Sequence, residues 1–186
     1  MRLELFKPWF KKWKKIIHLD SDLMVLGSIR SILDAPGFSA VPDFGSTLSS
    51  HFVRTEHFSK IFDKKYLPDV PAFNAGVFTV ETSLIAEEAY DELWFLLDCY
   101  IEECMYAEQS IFNLYFYGRW NPLPWNLNMF YHHLPKGLRS RGDGCSIIHF
   151  PLVPGGSRPW EKANPFYHRW KKTWAGEDDG FSRDET

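Results

Sequence analysis

The chain has 186 residues, 45% of them hydrophobic and 24% charged, which is enough for one soluble domain with a real core. A net charge of −3 excludes a general nucleic-acid surface. Three cysteines without metal-finger spacing, Cys99, Cys104 and Cys145, exclude a disulfide scaffold and favour reduced thiols in a cytoplasmic protein. No run reaches the roughly 18 apolar residues of a membrane span, and the N-terminus lacks a signal-peptide pattern. The aromatic share of 17%, with 8 Trp and 16 Phe, offers flat apolar surfaces of the kind sugars stack on, although an aromatic core would use most of them.

Residues 2–15 carry apolar side chains at roughly helical spacing, interrupted by Pro8 and ending in the basic run Lys11-Lys12-Trp13-Lys14-Lys15. Such a run most often is a solvated helix end, and it also suits a membrane surface or an anion. Residues 16–19 read as a buried strand running straight into Asp20-Ser21-Asp22. Two carboxylates at a strand end are costly to bury unless a cation or hydrogen bonds compensate them. The carboxyl ends of strands are also where open α/β sheets bind ligands. The plainer reading makes Asp20 a helix cap and Asp22 a solvated turn residue.

Further on, residues 25–33 predict a turn and a short helix capped by Ser28, and 38–41 a strand stopping at Pro42-Asp43. Residues 45–70 are mixed and polar, with a helical patch at 56–62, and suit an excursion that covers a ligand. Small and then branched residues at 73–80 predict a strand. The strongest helical pattern is 83–106, opened by Thr82 or Ser83. A second helix follows at 107–117, with Glu108 and Gln109 in its first turn. Residues 120–126 are extended and rich in proline, 146–150 form a strand ending near His149, and 164–174 form a short amphipathic helix. The remainder, 175–186, is a polar, acidic tail expected to be disordered. Strands alternating with helices favour a single α/β domain over 1–174, with at least part of its sheet parallel.

Four constellations carry chemistry. Asp20, Asp22 and His149 make an O,O,N ligand set that suits Mn²⁺ better than Ca²⁺ or structural Zn²⁺. Gly155-Gly156 with Arg158 supplies backbone N–H groups and a fixed positive charge, as a diphosphate requires. Asn74-Ala75-Gly76 and Glu108-Gln109 sit at element boundaries. Each has an ordinary structural use taken alone; their joint order does not.

These pieces, together with Asn113, residues 122–126 and Arg158-Pro159-Trp160, resemble glycosyltransferase family 8, the retaining nucleotide-sugar transferases that include glycogenin and galactinol synthase. The likeness runs from Arg2 to about Trp174. It implies a Rossmann-like GT-A-type domain with a mixed sheet, and hexosyl transfer from a UDP-sugar (glucose or galactose) to a carbohydrate, polyol or glycan hydroxyl. It implies that Asp20, Asp22 and His149 bind Mn²⁺, with Asp20 also near the donor. Arg2, Asn74, Ala75, Gly155, Gly156 and Arg158 would contact the donor, and Glu108 and Gln109 would lie beside the transferred sugar.

The chain departs from that pattern at Glu108, where aspartate is usual, and at Arg158, where lysine is usual. The family's first strands would lie before Met1, so the resemblance implies an N-terminally incomplete domain. A non-catalytic carbohydrate- or partner-binding remnant is therefore the alternative function. A haloacid-dehalogenase-type phosphatase also opens on a strand ending in an Asp-X-Asp triplet. Met24, and the lack of a strand before Asp178-Asp179, set that reading aside.

Overall fold

The computed structural model describes residues 2–53, 61–62, 65–139, 142–151, 153 and 156–176. Seven strands are present among them: β1 (Lys15–Leu19), β2 (Leu23–Val25), β3 (Phe38–Thr47), β4 (Pro71–Glu81), β5 (Asn121–Pro122), β6 (Met129–Phe130) and β7 (Ile147–His149). The α-helices are α1 (Arg30–Asp34), α2 (Ala89–Tyr100), α3 (Glu108–Tyr115) and α4 (Tyr167–Ala175). No described helix is long and apolar enough to cross a membrane. The chain forms two compact units, one of Met1–Asp20 with Ile29–Trp125, the other of Ser21–Ser28 with Asn126–Thr186.

The first unit is built on a four-stranded sheet in the order β1-β4-β3-β5. Its long central strand β4 is buried from Ala72 to Val80, and it reads as a nearly continuous apolar run because both of its faces are covered. β1 and β3 flank it antiparallel, and among the described residues of this unit the only parallel pairing is the two-residue contact of β3 with β5. The sheet is mixed, with less parallel character than the alternation of elements suggests. Leu3, Phe6, Phe38, Phe78 and Phe112 fill the core. Phe38 and Phe116 stack face to face with centroids 3.6 Å apart. These phenylalanines go inside, whereas Phe44 and Phe95 and the tryptophans Trp9, Trp13, Trp125, Trp160 and Trp174 stay exposed.

The second unit carries the sheet β2-β7-β6, with β2 antiparallel and β6 parallel to β7. Met24, Leu26, Ile148, Phe150 and Phe166 make its core.

Several boundaries differ from the sequence reading. Residues 23–25 are strand rather than turn, because Met24 and Leu26 pack into the second core. Ser28 is not a cap: the helix starts at Arg30 behind Ile29, without a side-chain cap bond. β3 continues past Pro42 to Thr47, accommodating the missing N–H by register shifts on either side. Residues 2–12 form two short 3-10 helices, Arg2–Phe6 and Pro8–Lys12, split at Lys7-Pro8.

The long helix expected over 83–106 is confined to Ala89–Tyr100. At one end Ile85 is pulled into the core in extended conformation, and the Thr82 hydroxyl donates to the Trp13 carbonyl. At the other, Val53 and Met105 N–H groups donate to the Glu103 and His51 carbonyls at 2.7 and 2.8 Å. Tertiary hydrogen bonds overrule helical propensity there. The helical patch expected at 56–62 lies mostly, and the tail after Gly176 wholly, outside the described residues.

Candidate functional site

In the first unit, β1 delivers Asp20 immediately after its last residue. The Asp20 N–H donates to the Gly76 carbonyl at 2.9 Å, which continues the β1–β4 pairing by one step. The carboxylate receives the Arg2 guanidinium in a fork, with Nη2 at 2.8 and 2.7 Å from Oδ1 and Oδ2 and Nε at 3.1 Å from Oδ1. His18 Nε2 lies 2.9 Å from the same Oδ1. Burial alone would raise the Asp20 pKa, but hydrogen bonds from His18 and Arg2 and the Arg2 charge outweigh it. The carboxyl is held below its ordinary range. Arg2 also faces Glu108, whose Oε1 accepts the Arg2 backbone N–H at 3.0 Å and whose Oε2 lies 3.9 Å from Nη1. Arg2, Asp20 and Glu108 thus form one charged cluster, with Glu108 at the first residue of α3.

α3 and β4 are stitched together by amide side chains. β1 pairs with β4 only as far as Val77, so the backbone of Phe73 and Ala75 lies beyond its end. The Asn113 side chain accepts the Phe73 N–H and donates to the Phe73 carbonyl, each at 2.9 Å. Gln109 Oε1 accepts the Ala75 N–H at 2.9 Å, while its Nε2 donates to Asp43 Oδ2 at 3.1 Å. Gln109 is therefore locked in one orientation. Ala75 is fully buried, and the Asn74 Oδ1 accepts the Gly76 N–H at 2.8 Å. His51, with no exposed surface, lies 3.4 Å from Asp43.

α3 begins in a strained turn. Ala107 has φ +44° and ψ −120°, and Gln109 N–H bonds back to the Tyr106 carbonyl at 3.0 Å. This is the backbone of a type II′ turn, whose first central position normally holds glycine. Strain of this kind concentrates at functional sites, and here it sets the direction of Glu108.

In the second unit, β2 and β7 pair Leu23 with His149, and Phe150 N–H donates to the Asp22 carbonyl at 2.9 Å. His149 Nε2 comes to 3.2 Å from Asp22 Oδ1, and its Nδ1 lies 2.9 Å from Asn128 Oδ1. An amide oxygen accepts only, so Nδ1 carries the proton. Nε2 is left facing the Asp22 carboxylate, a contact that a shared proton or a metal ion would complete. A carboxylate and an imidazole oriented from behind by an amide are the chemistry of a divalent-metal site. Asp22 and His149 are in contact, and Asp20 is tethered to Asp22 through Ser21 alone.

Further along that unit, Arg158 is buried and donates from Nη1 to the Phe150 carbonyl at 2.9 Å and to the Pro151 carbonyl. It therefore braces the chain after β7, and part of its guanidinium is committed to backbone. A Cβ on Gly156 would lie 2.8 Å from Val153 Cγ2 and 3.0 Å from its carbonyl oxygen, so no other residue fits without a shift. Gly155 lies outside the described residues. Sequence reasoning did not single out His18, Asp43, His51 or Asn128. His18 meets Asp20 two residues along the chain and His51 meets Asp43 eight residues back, whereas Asn128 reaches His149 from 21 residues away.

The family model described as "Glycosyl transferase family 8" matches residues 1–164. A glycosyltransferase of Streptococcus pneumoniae, GlyB, is 27% identical over 187 residues, covering 91% of this chain and 39% of its own. Galactinol synthase 2 of Solanum lycopersicum is 30% identical over 166 residues, covering 81% of this chain and 46% of its own. The chain spans about half the length of the curated relatives it matches, or less. Among solved structures, the bifunctional glycosyltransferase WbbM superposes with a TM-score of 0.66 at 18% identity, over 95% of this chain and 36% of that one. The galactosyltransferase LgtC, solved with donor and acceptor sugar analogues, superposes with a TM-score of 0.58 at 18% identity, over 95% and 69%. These likenesses establish the GT-A-type fold.

Proposed function

This chain belongs to glycosyltransferase family 8, and on that premise we propose that it transfers a hexose, glucose or galactose, from a UDP-sugar to a hydroxyl of a glycan, polyol or carbohydrate acceptor, with retention of anomeric configuration and in dependence on Mn²⁺. The observation that carries the reading is the contact of His149 Nε2 with Asp22 Oδ1 in front of Asn128. A buried imidazole held by Asn128 against a carboxylate is the pairing that a divalent cation uses. Together with Asp20, two residues before Asp22, they would give two carboxylates and one imidazole, a donor set that suits Mn²⁺. Mn²⁺ held by these residues would neutralise charge growing on the leaving nucleoside diphosphate.

The chain's own groups supply the rest. Arg2 keeps Asp20 ionised and brings a permanent cation beside it. Glu108, fixed by the Arg2 N–H, lies in this cluster, where its negative charge stabilises positive charge developing at the anomeric carbon. Gln109, immobilised between Ala75 and Asp43, positions the transferred sugar together with Asn74, while Ala75, with no exposed surface, acts only through the N–H it gives to Gln109. The Gly156 N–H is taken by the Val153 carbonyl at 2.9 Å, so at the diphosphate this loop would act through the uncommitted N–H groups of Arg158 and, by the family pattern, Gly155. The acceptor hydroxyl attacks from the leaving-group side and passes its proton to a departing phosphate oxygen, so no enzyme nucleophile is required. A glycosyl adduct trapped on Glu108 would overturn that route.

The test is calorimetric titration of UDP into the chain with and without Mn²⁺, beside an Asp20→Ala, Asp22→Ala double variant. Metal-dependent binding abolished in the variant is expected. A folded wild-type chain that binds UDP no better with Mn²⁺ refutes the assignment. Metal-dependent binding without hydrolysis or transfer of any UDP-hexose would instead favour a carbohydrate-binding remnant.

A further inference from the structure

At the opposite end of β1 from Asp20, residues 7–15 form an exposed patch of indoles and lysines. The 3-10 helix Pro8–Lys12 buries none of its residues. Trp9 and Trp13 are 59% and 45% exposed and pack edge to face with centroids 4.9 Å apart. The Lys12 ammonium sits 3.3 Å from the centre of one ring and 4.2 Å from the other. Lys7 and Lys11 are paired to Glu4 and Glu87, and Lys15 donates to the Leu33 and Ala35 carbonyls. Lys12 and Lys14 form no salt bridge among the described residues; Glu81, opposite Lys15 in the β1–β4 register, lines the same hollow.

We propose that this patch docks the protein on an anionic lipid bilayer. Indoles favour the head-group level, where the ring meets the acyl boundary and the N–H stays hydrated. Ammonium groups beside them meet lipid phosphates, while their methylene stems lie along the apolar rings. The arrangement is unlike a nucleic-acid platform, which offers open ring faces to bases. Here Lys12 and the edge-to-face packing cover faces and leave edges to insert. The five residues of β1 separate the patch from Asp20 by roughly 17 Å at ~3.4 Å per residue. Docking therefore leaves the Asp20 cluster clear of the lipid. The proposal is independent of the donor and metal assignments.

The experiment is co-sedimentation of the full chain with vesicles of phosphatidylcholine containing about 30 mol % phosphatidylglycerol, and with phosphatidylcholine alone, in ~100 mM NaCl. Wild type is expected to sediment with the anionic vesicles only, and raised salt to release it. Trp9→Ala with Trp13→Ala, and separately Lys12→Glu with Lys14→Glu, should each lower the partition coefficient about tenfold while circular dichroism is unchanged. Three results overturn the idea: no sedimentation of wild type, unchanged binding by the indole variant, or binding abolished by Trp174→Ala on α4 but not by the patch variants. Retention on heparin that the lysine variant loses, with no binding to vesicles, would mark a polyanion site instead and equally refute docking on lipid.

Discussion

Replacing Asn113 tests whether its side chain is what fixes α3 against β4. The residue is 4% exposed, and its amide satisfies both backbone groups of Phe73 where β1 no longer reaches. Asn113→Leu keeps the branched shape in a somewhat bulkier side chain but leaves a buried N–H and a buried C=O without these partners, at about 1–3 kcal/mol each. The expected loss is roughly 2–6 kcal/mol, a large fraction of the ~5–15 kcal/mol that holds a domain together. A chain of this size should lose about 2–4 °C in melting temperature for each kcal/mol. Asn113→Asp separates the two bonds. Its carboxylate still accepts the Phe73 N–H but opposes the Phe73 carbonyl, and the native Nδ2 donation to the Gln109 carbonyl at 2.9 Å is lost too. That carboxyl should titrate above its ordinary range, so the defect should shrink as pH falls and the protonated acid donates again. Urea denaturation of both variants at neutral and mildly acidic pH measures this. A leucine variant within about 0.5 kcal/mol of wild type, or an aspartate variant no better at acidic pH, would refute the account.

Four further outcomes follow from particular contacts. Ala107→Gly should stabilise the protein by about 0.5–2 kcal/mol in denaturant titration, because φ +44° strains alanine by more than glycine loses in chain entropy. Asn128→Leu removes the amide that orients His149 and should weaken Mn²⁺ affinity about 10–100-fold in a direct metal titration, with little change in fold. Asp20 has a folded pKa below the ordinary 3.8, so its ionised form contributes stability above that value. The advantage of wild type over Asp20→Asn in urea titration should persist at neutral pH and vanish as pH falls through the lowered pKa. Among the thiols, Cys99 is exposed, Cys145 is buried, and burial pushes the Cys104 pKa up to about 11. A maleimide at pH 8 should label Cys99 first, since a thiol of that pKa is only ~0.1% thiolate.

Much of this was legible in the sequence because it depends on neighbours along the chain. The strand before Asp20, the buried run of β4 and the strand ending at His149 declare themselves through short apolar stretches, and the ligand chemistry of Asp20, Asp22 and His149 through residue type. The order of these pieces sufficed to name the family. What residue spacing could not give is who pairs with whom. The locking of Gln109 by Asp43, the support of Phe73 by Asn113 and the orientation of His149 by Asn128 join residues 66, 40 and 21 positions apart. The same holds for the shortened helix α2, where hydrogen bonds from distant segments outcompete local propensity. Arg158 shows it as well: sequence supplies a cation for a diphosphate, and the tertiary structure turns part of it toward the chain's own carbonyls. Local pattern reports which elements exist, because burial periodicity is a property of a segment. The partners of polar groups are set only when segments meet, because each buried donor or acceptor takes whatever complementary group the packing brings within reach.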